Sequence, residues 1–424
     1  MEQPATERDA VRRAPLWLMI GPGLLLAATG VGSGDLATGA IAGSLLGPAV
    51  LWAVLLGALL KFVVTEGLAR WQLATGETLL EGAVRRIGPI VIWAFFPYLF
   101  LWSFFVGSAQ VSASGVTLHA ILPVFDDPRH GKIVFGIASG LAALALVWFG
   151  GYKAFERAMQ VCIGLMFVMV VATSVLLWPG TTPVLEGLFV PAIPDADGEG
   201  FTWTIALIGG VGGTLTVLCY GYWLREEGRT RPEDLPACRV DLGTGYLMTA
   251  LFGMAMVIVG SSIEVEGEGT ELLVRLSDRL ADVMGPTGKW LFLVGTFGAV
   301  WSSVLGVWQA VPYLFADCWA LIRRPDDGAA RAAVDTTSKP YRVYLLLLAT
   351  VPMLGLFASF REVQKIYTVL GALFFPLLAL AVLVFNGRAS WVGARFRNGP
   401  ATIIALVGVL LFFSYLAIRD SGGG

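Results

Sequence analysis

Eleven stretches of this 424-residue chain are apolar for long enough to cross a bilayer. A helical crossing of the hydrocarbon core takes roughly 20 such residues. The runs fall at about 16–46, 49–69, 89–122, 132–150, 155–177, 201–223, 240–263, 287–319, 341–358, 364–386 and 400–418. They are too long and too evenly apolar for barrel strands, and in lipid every backbone amide needs a partner within the protein. The expectation is an all-α integral membrane protein of eleven transmembrane helices. A composition of 56% hydrophobic and 14% charged residues agrees with it.

Orientation follows from the positive residues. With the N-terminus inside, the inner loops, tail and span ends carry 20 of the 29 Lys and Arg, against 8 on the outer side. That asymmetry predicts a cytoplasmic N-terminus and an outer C-terminus in a plasma or inner membrane. Arg8, Arg12 and Arg13 imitate a signal peptide, but no small-residue cleavage site follows, so the first run is expected to stay as span 1. Acidic strings (Glu186, Asp195, Asp197, Glu199; Glu264, Glu266, Glu268, Glu271) mark two outer loops, as solvated surface or as a cation-concentrating mouth. The ending Ser421 to Gly424 reads as a linker scar. Thinly spread Lys and Arg exclude a nucleic-acid partner. Cys162, Cys219, Cys238 and Cys318 lie too far apart for a disulfide framework or a metal knuckle.

Span 1 holds Gly30-Val31-Gly32-Ser33-Gly34 just before Asp35, and span 6 holds Gly209-Gly210-Val211-Gly212-Gly213-Thr214. Each glycine costs about 1 kcal/mol in a helix, so both helices should unwind there. The strings sit five spans apart, and five is odd, so the second half is inverted. The expected organisation is a tail (1–15), a first repeat (16–177), an outer loop (178–200), a second repeat (201–386) and a last helix (400–418). Paired breaks in an inverted repeat point to the midplane site of a secondary transporter; tight helix crossings are the competing explanation for such glycines.

Unwound carbonyls suit a hard cation, and amides at a half-helix start suit a carboxylate. Asp35 is expected either to bind substrate or a coupling ion, or to cap the helix from Leu36 onward. Lys61 calls for a structural salt bridge to another span, and Glu66 can pair with Arg70 at i+4. Ser108, Gln110, Ser112 and Ser114, with Gln309 of span 8, mark either a polar pathway or helix-packing contacts. With no Walker string, Rossmann fingerprint or nucleophile–base set, neither a cofactor nor an enzyme is expected.

These residues resemble the Nramp family of divalent-metal transporters. The likeness lies in Leu36-Ala-Thr-Gly-Ala-Ile-Ala-Gly-Ser-Leu-Leu-Gly47 with Leu51-Trp52, in Ala69-Arg70 to Thr75-Gly76-Glu77 with Leu80-Glu81, and in Leu185-Glu-Gly-Leu-Phe-Val-Pro-Ala-Ile-Pro194. Residues 16–225 carry most of it; beyond them it rests on Ser302-Ser303 and the span count. The resemblance implies a LeuT-like 5+5 inverted repeat with broken helices 1 and 6, plus an eleventh helix. It also implies departures. The family's Asp-Pro-Gly-Asn falls on Gly32-Ser33-Gly34-Asp35, its Met-Pro-His on Thr216-Val217-Leu218, and its helix-3 acids near Gly107 and Gln110.

What remains is an oxygen-only set of Asp35, Thr216 and Ser33 with the carbonyls of Val31 and Gly213, suited to Mg2+ rather than to softer metals. Proton coupling is not expected. The rival reading is an amino-acid or small-carboxylate permease in which amides of the Gly32-Ser33-Gly34 break hold the substrate carboxylate, Asp35 meets its amino group, and Thr216 or Tyr220 lines the pocket; under either reading the two breaks, Gly212 and Gly213 included, supply backbone groups to the substrate. A non-transporting, receptor-like descendant is the third. The partners expected are a small transported substrate and the lipid bilayer.

Overall fold

The computed structural model describes residues 21–210, 212–262, 270–323 and 334–422, apart from the side chains of Ser33, 270–276, Arg279, 283–284 and 416–422. The tail 1–15, the start of span 1, Val211, the acidic string Glu264–Glu266–Glu268 and the last two glycines lie outside the described residues, as do the side chains of Ser33 and Glu271.

Glycines and prolines set the helix limits. Helix α1 (Pro22–Gly30) begins on a proline whose fixed φ suits a first turn, and stops at Val31, whose φ of -79° and ψ of 83° are not helical. The chain restarts as α2 (Ser33–Leu46), and a 3₁₀ turn at Gly47–Val50 leads into α3 (Leu51–Thr75). Gly76 closes α3 in the left-handed conformation at φ +74°. Thr78 and Glu81 then form a capping box that starts α4 (Leu79–Ile87), ahead of α5 (Ile90–Ile121). The 49 residues of α6 (Pro128–Leu176) would run about 74 Å if straight, more than twice the hydrocarbon thickness. Gly151, at φ +67°, divides α6 into two crossings.

After α7 (Thr181–Phe189), the sixth span is α8 (Glu199–Gly210), a 3₁₀ turn at Leu215–Cys219 and α9 (Tyr220–Glu226). Helices α10 (Leu235–Gly260) and α11 (Thr270–Arg323) follow, the latter turned at Gly285. The remainder is α12 (Lys339–Thr350), α13 (Phe360–Phe385), the short α14 (Ala389–Val392) and α15 (Pro400–Gly422). Helices α1 and α2 lie against α10 through small residues. A methyl group on Gly43 would strike the Val257 backbone, and one on Gly260 would strike that of Ala40. Close backbone approach of this kind is how helices associate where lipid offers no hydrophobic driving force.

Candidate functional site

The two interrupted helices touch at their breaks. A Cβ built on Gly30 would lie 2.5 Å from the Gly212 carbonyl carbon and 2.8 Å from the Gly213 nitrogen. Gly212 and Gly213 adopt φ of +81° and +78°, which L side chains rarely reach. Breakage and tight crossing, alternatives in the sequence, are therefore the same feature here.

Asp35 joins the two breaks. It is 1% exposed in the first turn of α2, and both of its carboxylate oxygens accept from the Gly212 amide at 3.1 Å. It does not cap α2, whose N-cap is Gly32 without a side-chain bond. Lys61 of α3, buried at 0% exposure, lies within electrostatic reach of Asp35 and supplies its charged neighbour from another span. Glu66 is engaged elsewhere, by Arg70 at 3.2 Å, as i+4 spacing predicts, and by Arg239 at 2.7 Å.

The remaining sequence-derived positions divide. The Thr216 hydroxyl is buried without a hydrogen-bond partner and faces Gly213. The Gln110 amide comes up against Gly32, as does Ser303, whose hydroxyl donates to the Thr29 carbonyl at 2.7 Å. Ser302 donates to the Ala28 carbonyl at 3.0 Å, so this pair serves carbonyls at the end of α1. Tyr220 is directed away: its hydroxyl donates to Asp241 at 2.9 Å, and Asp241 also accepts from the Gly21 and Gly23 amides at the start of α1. Ser108 donates to the Phe104 and Pro352 carbonyls. Gln309 accepts from the Trp223 indole at 2.8 Å and donates to Tyr313 at 3.2 Å, a packed network.

Sequence reasoning missed α13. Both amide atoms of buried Gln364 lack partners, and its nitrogen would lie 3.8 Å from a Cβ on Gly34, beside Tyr367. The Thr38 hydroxyl, one turn beyond Gly34 on α2, is likewise buried and unpartnered. The signal was present as a polar stripe of Gln364, Tyr367 and Thr368 at i, i+3 and i+4, ahead of a run that is apolar from Val369 to Phe385.

The family model "natural resistance-associated macrophage protein-like" (Nramp) matches residues 23–419. This chain belongs to the Nramp family. A divalent metal cation transporter MntH of Chromohalobacter salexigens is 28% identical over 263 residues, 60% of this chain and 57% of that protein. An MntH of Mycobacterium tuberculosis is 24% identical over 303 residues, 68% and 67% of the two chains. The chain thus spans between 57% and 67% of these curated relatives. A mutant of the Eremococcus coleocola manganese transporter superposes with a TM-score of 0.73 at 14% identity, covering 96% of this chain and 87% of that one. MhsT in complex with L-phenylalanine gives 0.62 at 16% identity, with 92% and 97% covered.

At such identities the likeness carries the fold, a LeuT-like 5+5 inverted repeat with broken helices 1 and 6 and an eleventh helix. Among the described residues no three His, Cys, Asp or Glu side chains come together as a metal-binding group. Gly107, one position matched to the family's helix-3 acids, packs against Pro352 and Trp308.

Proposed function

We propose that this chain is a secondary transporter for a divalent metal cation, favouring a hard, oxygen-loving ion such as Mg2+ over softer Mn2+ or Fe2+. The observation that carries this reading is the buried Asp35 carboxylate at the junction of two broken helices, with unpartnered oxygens of Thr216, Thr38 and Gln364 nearby. One carboxylate among neutral oxygens suits an ion that keeps part of its water shell. The names of the curated relatives, divalent metal cation transporters, support the substrate class. The carboxylate-permease reading needs free amides in the Gly32-Ser33-Gly34 turn, and the Gly32 amide already donates to the Gly30 carbonyl at 3.0 Å. The uncharged Gln110 and Gly107, where the resemblance expects acids, favour transport without proton symport. The charge asymmetry of the loops argues for a plasma or inner membrane with the N-terminus in the cytoplasm, and the residues argue for a carrier rather than an enzyme.

The test is flux into proteoliposomes over Mg2+, Mn2+, Ca2+ and small neutral amino acids, with Asp35→Asn beside the native protein. Cation flux that falls at least tenfold in the variant is expected. Amino-acid exchange that depends on Asp35, with no cation flux in either protein, would sink the reading.

A further inference from the structure

The connection from α13 to α15 carries Arg388, Arg395 and Arg397 and no acid between Gly387 and Gly399. Joining two spans, it lies where the chain leaves the hydrocarbon, on the inner side by the loop charges. Neighbouring carboxylates are taken by other arginines. Glu66 is shared by Arg70 and Arg239, Glu77 by Arg85 and Arg86, and Glu81 pairs with Arg225. Arg388, Arg395 and Arg397 are exposed, and among the described residues no carboxylate lies within ion-pair distance of them.

The loop is held in place from below. Buried Arg70 of α3 donates to the Phe396 carbonyl at 3.0 Å, the Arg397 carbonyl at 2.8 Å and the Asn398 side-chain oxygen at 3.0 Å. The Asn398 backbone amide donates to the Asn386 carbonyl at 3.0 Å. A fixed loop loses little freedom when it takes up a ligand. Trp391 sits among charges: the Arg388 guanidinium lies 4.3 Å from its ring centre and that of Arg86 lies 5.4 Å away. Arg86 also covers Trp71 at 4.6 Å, so α4 and the loop form one basic and aromatic surface. Apolar side chains follow directly on Arg86: Ile87 is 60% exposed, Ile90 66% and Trp93 59%.

We propose that this surface is a binding site for the headgroup of an anionic phospholipid of the inner leaflet. Guanidinium groups match phosphate oxygens with paired N–H donors, and basic clusters beside span ends attract anionic lipid. Trp391 stands at headgroup level, as amphipathic rings do at a membrane surface. Ile87, Ile90 and Trp93 offer the acyl chains an apolar rest beside the charge. A free phosphate would meet the same arginines and gain nothing from those side chains. Orientation alone asks only that arginines lie on the inner side. It does not ask that a buried arginine fix their backbone or that a tryptophan stand between two of them. The site is independent of the cation reading of Asp35.

The experiment uses the full purified chain in detergent, with phosphatidylglycerol, phosphatidylcholine of the same acyl chains and inorganic phosphate as probes. Native mass spectrometry reads the lipid retained, and melting curves read the stabilisation that binding gives. The native protein is expected to hold phosphatidylglycerol at least tenfold more tightly than phosphatidylcholine, with a raised melting temperature that inorganic phosphate does not reproduce. The triple variant Arg388→Gln, Arg395→Gln, Arg397→Gln should lose that preference and keep its melting temperature in phosphatidylcholine. A second triple variant, Lys153→Gln, Arg157→Gln, Arg323→Gln, removes inner-side cations from other connections and should bind as the native protein does. Equal retention of the two lipids by the native protein overturns the proposal. So does equal stabilisation by inorganic phosphate, which would make the ligand a free anion. Equal losses in both triple variants mean diffuse attraction rather than a site and overturn it too. If the first triple variant does not fold, Arg395→Gln alone carries the test: retention reduced several-fold supports the site, and native-like retention overturns it.

Discussion

Gly212 answers two demands at a single position. Its φ of +81° suits glycine, and its amide is the donor to Asp35. A β-carbon there would also lie 2.9 Å from the Thr249 methyl. Left-handed backbone costs an L residue roughly 1–2 kcal/mol, so Gly212→Ala should lower the melting temperature and weaken Mn2+ binding together. Gly210→Ala is the comparison: Gly210 lies in α8 without positive φ, and its β-carbon meets the Thr368 methyl at 3.2 Å. Equal losses in both variants would deny Gly212 its special place. At this scale Asp35 and the glycines were legible because rare residue types in an apolar run announce themselves. Gln364 and Thr38 were not, since their importance lies in lacking a partner, a property of surroundings rather than of identity.

At the scale of elements, glycines separate into those a neighbour needs and those nothing touches. Gly43 of α2 faces the Val257 carbonyl of α10, so Gly43→Val forces the helices apart; overpacking of a fitted interface typically costs 1–3 kcal/mol. The expected result is a lower melting temperature and a reduced monodisperse fraction on size-exclusion chromatography. Gly164 of α6 has no neighbour within 4 Å of its built β-carbon, and Gly164→Ala should leave stability level or raise it by up to about 1 kcal/mol through helix propensity. A severe loss in Gly164→Ala would contradict this division. The sequence placed the helices through run length and put the span 4–span 5 boundary close to Gly151. It left open whether its glycine strings were breaks or crossings, because the same residue serves both and the choice depends on what lies opposite.

Over the whole molecule, ties gather at the end of the bundle where α3 and α9 finish. Arg225 pairs with Glu81 at 2.8 Å, Gln72 donates to the Gly221 carbonyl at 2.7 Å, Tyr222 donates to Asp317 at 2.7 Å, and Tyr313 donates to Glu226 at 2.7 Å. Asp241 fastens the start of α1 at the same time. A carrier must loosen one end of its bundle to exchange substrate, and a shift of 1.4 kcal/mol changes a two-state population tenfold. Arg225→Gln, which leaves Glu81 without this partner, should therefore open α9. Cys219, fully buried just before α9, is a built-in reporter. Its labelling by a small thiol reagent, followed by mass spectrometry, should accelerate several-fold relative to Cys162. Unchanged labelling would mean that these ties stabilise the fold without holding a gate.

The sequence by itself determined the environment, the helical class, the number of crossings, the two weak points and the lone acid beside one of them. Each of these follows from local chemistry: the length of an apolar run, the cost of glycine in a helix, the cost of charge in lipid. Tertiary structure alone decided the partners. It set Asp35 on the amide of the other broken helix, brought Lys61 toward it, turned Tyr220 to Asp241, and left Gln364, Thr38 and Thr216 with unused oxygens. Hydrogen bonds and Coulomb forces act between atoms brought together by packing, and no order of residues along the chain states which span will lie against which.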